Sequence, residues 1–342
     1  MSEFPSISIV TPTLNSKKTI KSCLDSISNQ DYPKDKVEII IADGGSTDTT
    51  LDIIKAFGLK NLKILPNALR TGEAGKAVGA KAAIGEIVAF IDSDNILPAI
   101  NCLKIMVEPF ADPEIIASEP VEYTYRKTDN YLTRYCALMG MNDPLCFFLG
   151  NYDRYNTITG KWTGLLHVEE DKGNYLKIEL YKGRLPTIGA NGFLIRKNIL
   201  TQYAIGDYLF DIDVIADVLN RANRVKIAKV KAGIIHIFAG GMKDFMRKQS
   251  RRIIDYNYYK KLGLRKYQWR EAGARGIVKF IVYNILIIPL ILQSVRGWTR
   301  KKDGVWFFHT PACLLTLFVY SYSSILNFFT SKPLSRDKWQ VP

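Results

Sequence analysis

Gly85-Glu-Ile-Val-Ala-Phe-Ile-Asp-Ser-Asp-Asn95 carries an apolar run, Ile87 to Ile91, that stops at two carboxylates separated by one small residue, Asp92-Ser93-Asp94. A continuous hydrophobic run is the pattern of a strand buried on both faces of a parallel sheet. Ligands of open α/β sheets bind beyond the carboxyl ends of such strands. Two acids placed there can hold one hard divalent cation through oxygen, and Mg2+ or Mn2+ held in this way bridges carboxylates and substrate phosphates. An Asp-rich turn capping the next helix would read the same. The surrounding sequence has to decide.

Outward from this stretch, residues 6 to 110 alternate strand and helix signals in a βαβ layout. Ile7 to Val10 reads as a strand, and Lys18 to Ser28 as a helix with Ile20, Leu24 and Ile27 at helical spacing. Val37 to Ala42 is a second buried strand, followed by Asp43-Gly-Gly-Ser-Thr-Asp48 and a helix to about Phe57. Leu62 to Leu65 is a short third strand, and Gly72 to Ile84 a small-residue helix leading into the strand that ends at Asp92. Residues 111 to 185 lose the alternation and read as a variable, substrate-facing insertion. Order returns at Pro186-Thr-Ile-Gly-Ala-Asn-Gly-Phe-Leu-Ile195, at Phe210-Asp-Ile-Asp213 with the helix after it, and at Val225 to Ile237. Gly241 to Lys261 is a basic helix.

Asp43 follows directly on the strand Val37 to Ala42 and so shares a sheet edge with Asp92. Gly44-Gly45 lets the backbone turn close to a ligand, and Asp43 can accept a hydrogen bond from a nucleobase N–H. Thr11 and Pro12, ending the first strand, shape the opposite wall. Lys76 either reaches a diphosphate or lies on a solvated helix face.

Together, Ile7-Ser-Ile-Val-Thr-Pro-Thr-Leu-Asn15, Glu38-Ile-Ile-Ile-Ala-Asp-Gly-Gly-Ser-Thr-Asp48 and Gly85 through Asp94 resemble the family 2 glycosyltransferases, over residues 6 to about 255. The resemblance implies an α/β fold of the nucleotide-diphospho-sugar-binding type called GT-A, a mostly parallel sheet flanked by helices, here with C-terminal hydrophobic helices. It implies that Asp43 holds the base of a UDP- or GDP-sugar. Asp92 would contact ribose or the metal's water shell, and Asp94 would ligate Mn2+ or Mg2+ on the diphosphate. The expected nucleotide-sugar contacts are thus Thr11, Pro12, Asp43, Lys76, Asp92, Ser93 and Arg252, and the expected metal ligands Asp94, Asp92 and His236. Family members carry Glu-Asp at the acceptor side, where the Asp deprotonates the attacking hydroxyl. Phe210-Asp-Ile-Asp-Val214 lines up with it and puts Asp213 in the base position, with Ile212 in place of the usual Glu and Asp211 as the rival.

His236 matches a family histidine near the diphosphate that sometimes ligates the metal; a structural histidine at a strand end reads the same. Gln249-Ser-Arg-Arg252 resembles the Gln-x-x-Arg-Trp element of processive members, with Ile253 where Trp would stand, so no polymerase is inferred. Its arginines either neutralise the leaving nucleotide diphosphate or lie on an anionic membrane. Asn191, in the acceptor wall Pro186 to Gly192, is a candidate hydroxyl partner.

Charge points to the same class of ligand. Against 33 Asp and Glu stand 47 Lys and Arg, a net +14 over 342 residues, thickening after Lys226; such a balance favours an anionic partner. The length suits one large α/β domain with an appendage. Cys23, Cys102, Cys136, Cys146 and Cys313 are odd in number and lack CxxC spacing, which fits a reduced cytosolic compartment. His167, His236 and His309 are too few for a multi-histidine zinc site. Met1-Ser-Glu-Phe-Pro carries no signal architecture.

Ile277 to Val295 and Val305 to Phe329 each approach the ~20 apolar residues that cross a bilayer. Lys279, Asn284 and Pro289 interrupt the first, and His309 and Pro311 the second. If both spanned, the basic loop Arg296-Gly-Trp-Thr-Arg-Lys-Lys302 would lie outside, against the positive-inside tendency. Re-entrant or interfacial helices, with Trp298 or Trp306 at headgroup level, suit the pattern as well. Buried core helices are the bland alternative.

The expected layout is a GT-A domain over residues 1–240, with a nucleotide-sugar half (1–110) and an acceptor half (111–240). Basic interfacial helices follow over 241–275, then two membrane-associated segments over 276–330. The expected function is a metal-dependent inverting hexosyltransferase at the cytoplasmic face of the cell membrane, acting on a lipid-linked or polysaccharide acceptor. A polyprenyl-phosphate hexose synthase shares that donor chemistry. A sugar nucleotidyltransferase needs a Gly-rich loop where Thr11-Pro-Thr-Leu-Asn-Ser16 stands. A nucleic-acid binder needs aromatic and basic residues interleaved on strands, so no nucleic-acid partner is expected.

Overall fold

A computed structural model describes residues 4–203, 205–267 and 273–329. Residues 1–3, 204, 268–272 and 330, which the expected layout includes, lie outside the described residues. The first strands are β1 (Ile7–Thr13), β2 (Val37–Asp43), β3 (Leu62–Pro66) and β4 (Ile87–Phe90), linked by α1 (Ile20–Ser28), α2 (Thr50–Ala56) and α3 (Gly72–Ala82). They run parallel in the order β3-β2-β1-β4. Every residue of β1 is buried, and each fully buried Ile or Val there contributes about 1.5–3 kcal/mol. Ser8, one of three polar residues in this strand, is tolerated because its Oγ accepts from the N–H groups of Ile84 and Gly85, at 3.1 and 2.8 Å.

This order creates a switch point. β1 lies between β2 and β4, and the connections leave it on opposite faces: α1 and α2 pack Ile20, Leu24, Ile27 and Ile54 on one side, while α3 packs Ala77 and Ala80 on the other. The chain diverges here, and a crevice opens at the carboxyl ends of the strands. The β1–β4 pairing ends at Val10↔Phe90, whereas β1–β2 continues to Thr13↔Asp43. Pro12, which has no N–H to donate, sits where the sheet has already parted. α3 approaches β1 very closely: a Cβ on Gly79 would fall 2.2 Å from Val10 Cγ1. The small residues of this helix are a packing requirement.

The second half of the sheet is mixed. β5 (Asn95–Ile96), α4 (Cys102–Val107), β6 (Ile115–Thr124), α5 (Tyr131–Met139), α6 (Pro144–Leu149), β7 (Val168–Asp171), β8 (Tyr175–Tyr181) and β9 (Phe193–Arg196) follow. After them come α7 (Lys197–Tyr203), α8 (Asp211–Ala222), β10 (Arg224–His236) and α9 (Met242–Lys261). The order continues β4-β9-β6-β10-β8-β7, with β5 pairing β10. β9 is antiparallel to both β4 and β6, and β6 is parallel to β10. The expected insertion is thus corrected: β6 and β8 lie inside the one sheet. Glu119 and Pro120 hide β6 in the sequence, and Glu119 is tolerated inside because Lys229 of β10 neutralises it at 2.6 Å.

Three helices end the described chain: α10 (Ala274–Leu286), α11 (Ile288–Arg300) and α12 (His309–Phe329). α10 and α11 meet at 96°, where Ile287 takes φ 60° and Pro289 opens α11. Among the described residues, Gly304–Ile325 is long and apolar enough to cross a membrane, with mean hydropathy 1.3. α10 and α11 meet that length and hydropathy only as a pair. Ile285, Leu286, Ile288 and Leu292 on the bent pair are exposed. Trp306, one of the two tryptophans expected at headgroup level, is instead fully buried against Gly297, where any Cβ would strike its ring.

Candidate functional site

The turn after β4 is built by Asn95. Its Oδ1 accepts the Asp92 N–H at 3.0 Å, and its own N–H donates to Asp92 O at 2.9 Å. This projects Asp92, Ser93 and Asp94 into a cleft of about 420 Å3 at the switch point. Asp94 Oδ2 lies 3.6 Å from His236 Nε2, at the end of β10, and 3.9 Å from Lys248 Nζ on α9. Burial works against its charged form, but His236 and Lys248 hold Asp94 below the usual carboxylate range. Burial instead raises Asp92, and it lowers the Lys248 ammonium to about 8 despite Asp94 beside it.

Asp94 and His236 are two donors of the oxygen and imidazole type that Mn2+ accepts. No group of three His, Cys, Asp or Glu among the described residues is arranged to hold a metal. A divalent cation held by these two donors would have to draw its remaining ligands from water and substrate oxygens.

Lys76 is not on a solvated face. Its ammonium is buried, paired with Asp211 and 5.5 Å from the Phe90 ring centre. Burial opposes its charge, but Asp211 and Asp92 more than offset this and raise it above the usual lysine range. Asp211 lines a second pocket that shares Lys76, Ala190, Asn191 and Arg252 with the cleft. Its Oδ2 takes the Ala190 N–H at 2.7 Å as well as Lys76, and its Oδ1 is buried with no hydrogen-bond partner among the described residues. Asn191 lines the cleft beside it, its amide held by Asn95 and by the Tyr123 hydroxyl, both at 2.9 Å.

Asp213 does not reach the cleft. It is fully buried, and its carboxylate accepts from Arg265 Nε and Nη2 and from the N–H groups of Lys266 and Tyr267, at 2.9 to 3.2 Å. Residues two apart lie on different faces of a helix, so α8 can turn only one of its two acids inward. That acid is Asp211. Asp213 anchors Arg265, which does line the cleft. Thr11 is likewise fully buried beneath the cleft, whereas Pro12 lines it.

Asp43 lies in an adjoining groove of about 680 Å3 that shares Asn67 and Arg70 with the main cleft. Its oxygens accept from the N–H groups of Gly45 and Ser46, both at 2.9 Å, and from Ser46 Oγ at 2.5 Å. Arg252 lines the cleft and is held by Gln249 and by Asp143, the latter at 3.6 Å. Beside it stand residues that the sequence reading did not single out: Lys248, Asp255, Tyr256 and Tyr259. With Arg251 and Arg252 they recur at helical spacing along α9, a periodicity readable from the sequence once this helix is known to face a ligand.

The chain matches the family model described as Glycosyl transferase family 2 over residues 8–203. It is 42% identical over 91 residues to the poly(ribitol-phosphate) beta-N-acetylglucosaminyltransferase TarS of Staphylococcus aureus, covering 26% of this chain and 16% of that protein. Over 108 residues it is 40% identical to the dolichyl N-acetyl-alpha-D-glucosaminyl phosphate 3-beta-D-2,3-diacetamido-2,3-dideoxy-beta-D-glucuronosyltransferase of Methanococcus voltae, 30% of this chain and 33% of that one. The chain thus spans well under half the length of these curated relatives. Among solved structures, the mannosyltransferase PcManGT of Pyrobaculum calidifontis, in complex with GDP-Man and Mn2+, shares the fold with a TM-score of 0.56 at 15% identity, covering 96% of this chain and 88% of that one. The family match takes in more than half of the chain, including Asp43, Lys76, Asp92, Asp94 and Asn191, and the chain belongs to glycosyl transferase family 2.

Proposed function

We propose that this protein is a metal-dependent, inverting hexosyltransferase that moves a sugar from a UDP- or GDP-sugar to a hydroxyl of a lipid-linked or polysaccharide acceptor. The observation that carries it is a cleft with Asp92, Ser93 and Asp94 on one side and Lys248, Arg251 and Arg252 along a wall, joined through Lys76, Ala190 and Asn191 to a second pocket lined by Asp211, whose Oδ1 is buried without a hydrogen-bond partner among the described residues. In this assignment residues 1–110 bind the donor and residues 111–240 the acceptor.

Asp43 and its groove receive the base. Asp94 and His236, with Asp92 beside them, would hold Mn2+ or Mg2+, which when bound offsets charge on the departing diphosphate. Arg251 and Arg252 add fixed positive charge to the same leaving group. Asp211 Oδ1 accepts the proton of the attacking hydroxyl, for which it must lie within hydrogen-bond reach. Lys76 and the Ala190 N–H hold the other oxygen, keeping the carboxylate oriented. Attack from the side opposite the diphosphate inverts the anomeric centre in one displacement. The exposed apolar residues of α10 and α11 support a seat on a membrane, with the catalytic cleft on its cytoplasmic side. The relatives, one a poly(ribitol-phosphate) transferase and one a dolichyl N-acetyl-alpha-D-glucosaminyl phosphate transferase, support the acceptor class.

A thermal-shift screen with UDP, GDP and their sugars, with and without Mn2+, tests the donor assignment. One nucleotide is expected to stabilise the protein only with metal, and Asp94→Asn to abolish that shift. Stabilisation by none of them would sink the proposal. Transfer to a polyprenyl phosphate that survives Asp211→Asn would instead identify a polyprenyl-phosphate hexose synthase, whose acceptor needs no base.

A further inference from the structure

Glu119, Asp153, Arg154 and Lys229 form a buried group of charges beneath the acceptor wall, with Glu119, Arg154 and Lys229 at most 1% exposed. Arg154 Nη1 lies 3.1 Å from Glu119 Oε2 and also pairs with Asp153, while Lys229 Nζ lies 2.6 Å from Glu119 Oε1. Two acids balance two bases. Buried ion pairs are often no more stabilising than apolar residues of the same volume, so stability alone does not account for them. Glu119, Arg154 and Lys229 do not line the cleft, which removes substrate contact as the reason.

Directly above them, Gly189, Ala190, Asn191 and Gly192 take φ values of 103°, 57°, 45° and 86°. Successive left-handed residues, two of them with side chains, persist only where the surroundings over-determine them. Here the Gly189 N–H donates to Glu119 Oε2 at 3.0 Å, and Arg154 Nη2 donates to Ala190 O at 3.4 Å. The same loop presents the Ala190 N–H to Asp211 Oδ2 at 2.7 Å.

We propose that Glu119 and Arg154 are positioning residues that impose the left-handed course of residues 189–192, and so aim the Asp211 carboxylate at the acceptor hydroxyl. The proposal rests on Asp211 being the base. It gives the buried charges a task that an apolar core would not perform: Glu119 accepts a hydrogen bond from one backbone group of the strained loop and Arg154 donates one to another.

Steady-state transfer by Arg154→Lys and Glu119→Gln, with Asp211→Asn alongside, tests this. Misplacing a reacting group by about 1 Å lowers turnover by up to ~100-fold, so kcat is expected to fall roughly 10- to 100-fold while donor KM and the Mn2+-dependent nucleotide shift stay at wild-type values. Ala190→Gly, which adopts the left-handed conformation without enforcement, is expected to restore part of the lost kcat in the Arg154→Lys background. Unchanged kcat in both charge variants overturns the positioning role while leaving Asp211 in place. A parallel loss of kcat, nucleotide shift and melting temperature, without rescue by Ala190→Gly, reduces the group to a structural one and also overturns it. Should Arg154→Lys fail to fold, Glu119→Gln alone and with Ala190→Gly gives the same reading. Full transfer by Asp211→Asn overturns both this proposal and the base assignment, whereas an unaltered nucleotide shift preserves the donor assignment.

Discussion

Asp94 and Asp211 line adjoining pockets, and what fixes each of them differs. Asp94 lies in the turn after a strand of four buried residues, and its place follows from the parallel order β3-β2-β1-β4 and a single asparagine that closes the turn. Asp211 opens a helix, and its place depends on a lysine from α3, a backbone N–H from a left-handed loop, and buried charges under that loop. The side proposed to bind the donor is set by regular periodicity. The side proposed to bind the acceptor is set by a network of contacts between residues far apart in the chain, which regular elements alone would not bring together.

The largest expected effect separates the two acids of α8. Asp211→Asn should lower kcat of the folded fraction by ~10²–10⁴-fold, the usual contribution of a general base, with nucleotide binding near wild type; it also leaves the buried Lys76 unpaired, so stability falls as well. Asp213→Asn should lower stability without lowering turnover. Removing one partner of a buried pair costs about 3–5 kcal/mol, so chemical denaturation should show the loss, while donor-saturated turnover of the folded fraction persists. If Asp213→Asn abolished turnover without loss of stability, the acceptor side would have to be rebuilt around it.

These two residues also show how far the sequence reaches. The strand-and-helix alternation of residues 6 to 110 was legible because each apolar run is short, bounded and buried. Ile115–Thr124 was not, since a buried Glu119 breaks the pattern and only its distant partners Lys229 and Arg154 explain it. Aligning Phe210-Asp-Ile-Asp-Val214 to a motif by counting chose Asp213. The helical period would have chosen otherwise: Asp211 continues the sheet-facing stripe of Val214, Ile215 and Leu219, whereas Asp213 and Asp217 share the side that meets Arg265 and Lys266. Lys76 was left open because nothing near it in sequence shows the carboxylate of Asp211, 135 residues away.

A smaller effect probes the donor side through its packing. In an exposed helix, Gly→Ala gains up to ~1 kcal/mol. At Gly79 the added carbon would meet Val10 Cγ1 at 2.2 Å and Cγ2 at 2.9 Å, in a strand that is buried throughout. Overpacking of that kind costs about 1–3 kcal/mol, so it outweighs the gain. Gly79→Ala should lower stability and, by lifting α3 from β1, loosen Lys76 against Asp211. A stabilised Gly79→Ala would show that the sheet yields to the helix, and the donor side would no longer count as the rigid one.

The smallest effect belongs to the cap of that helix. Thr71 accepts the Ala74 N–H on its Oγ1 at 3.0 Å and lines the cleft next to Glu73 and Lys76. Thr71→Val keeps the shape and removes the acceptor, which should cost about 1 kcal/mol, with Thr71→Ser recovering it. Lys76 sits in the second turn and is held from across the cleft by Asp211, with Asp92 also attracting it. Fraying the first turn therefore should not displace it. Turnover and the nucleotide shift in Thr71→Val should match wild type once the folded fraction is counted. If both instead collapsed, Lys76 would depend on the helix end more than on its carboxylates, and the donor side would prove as reliant on local contacts as the acceptor side.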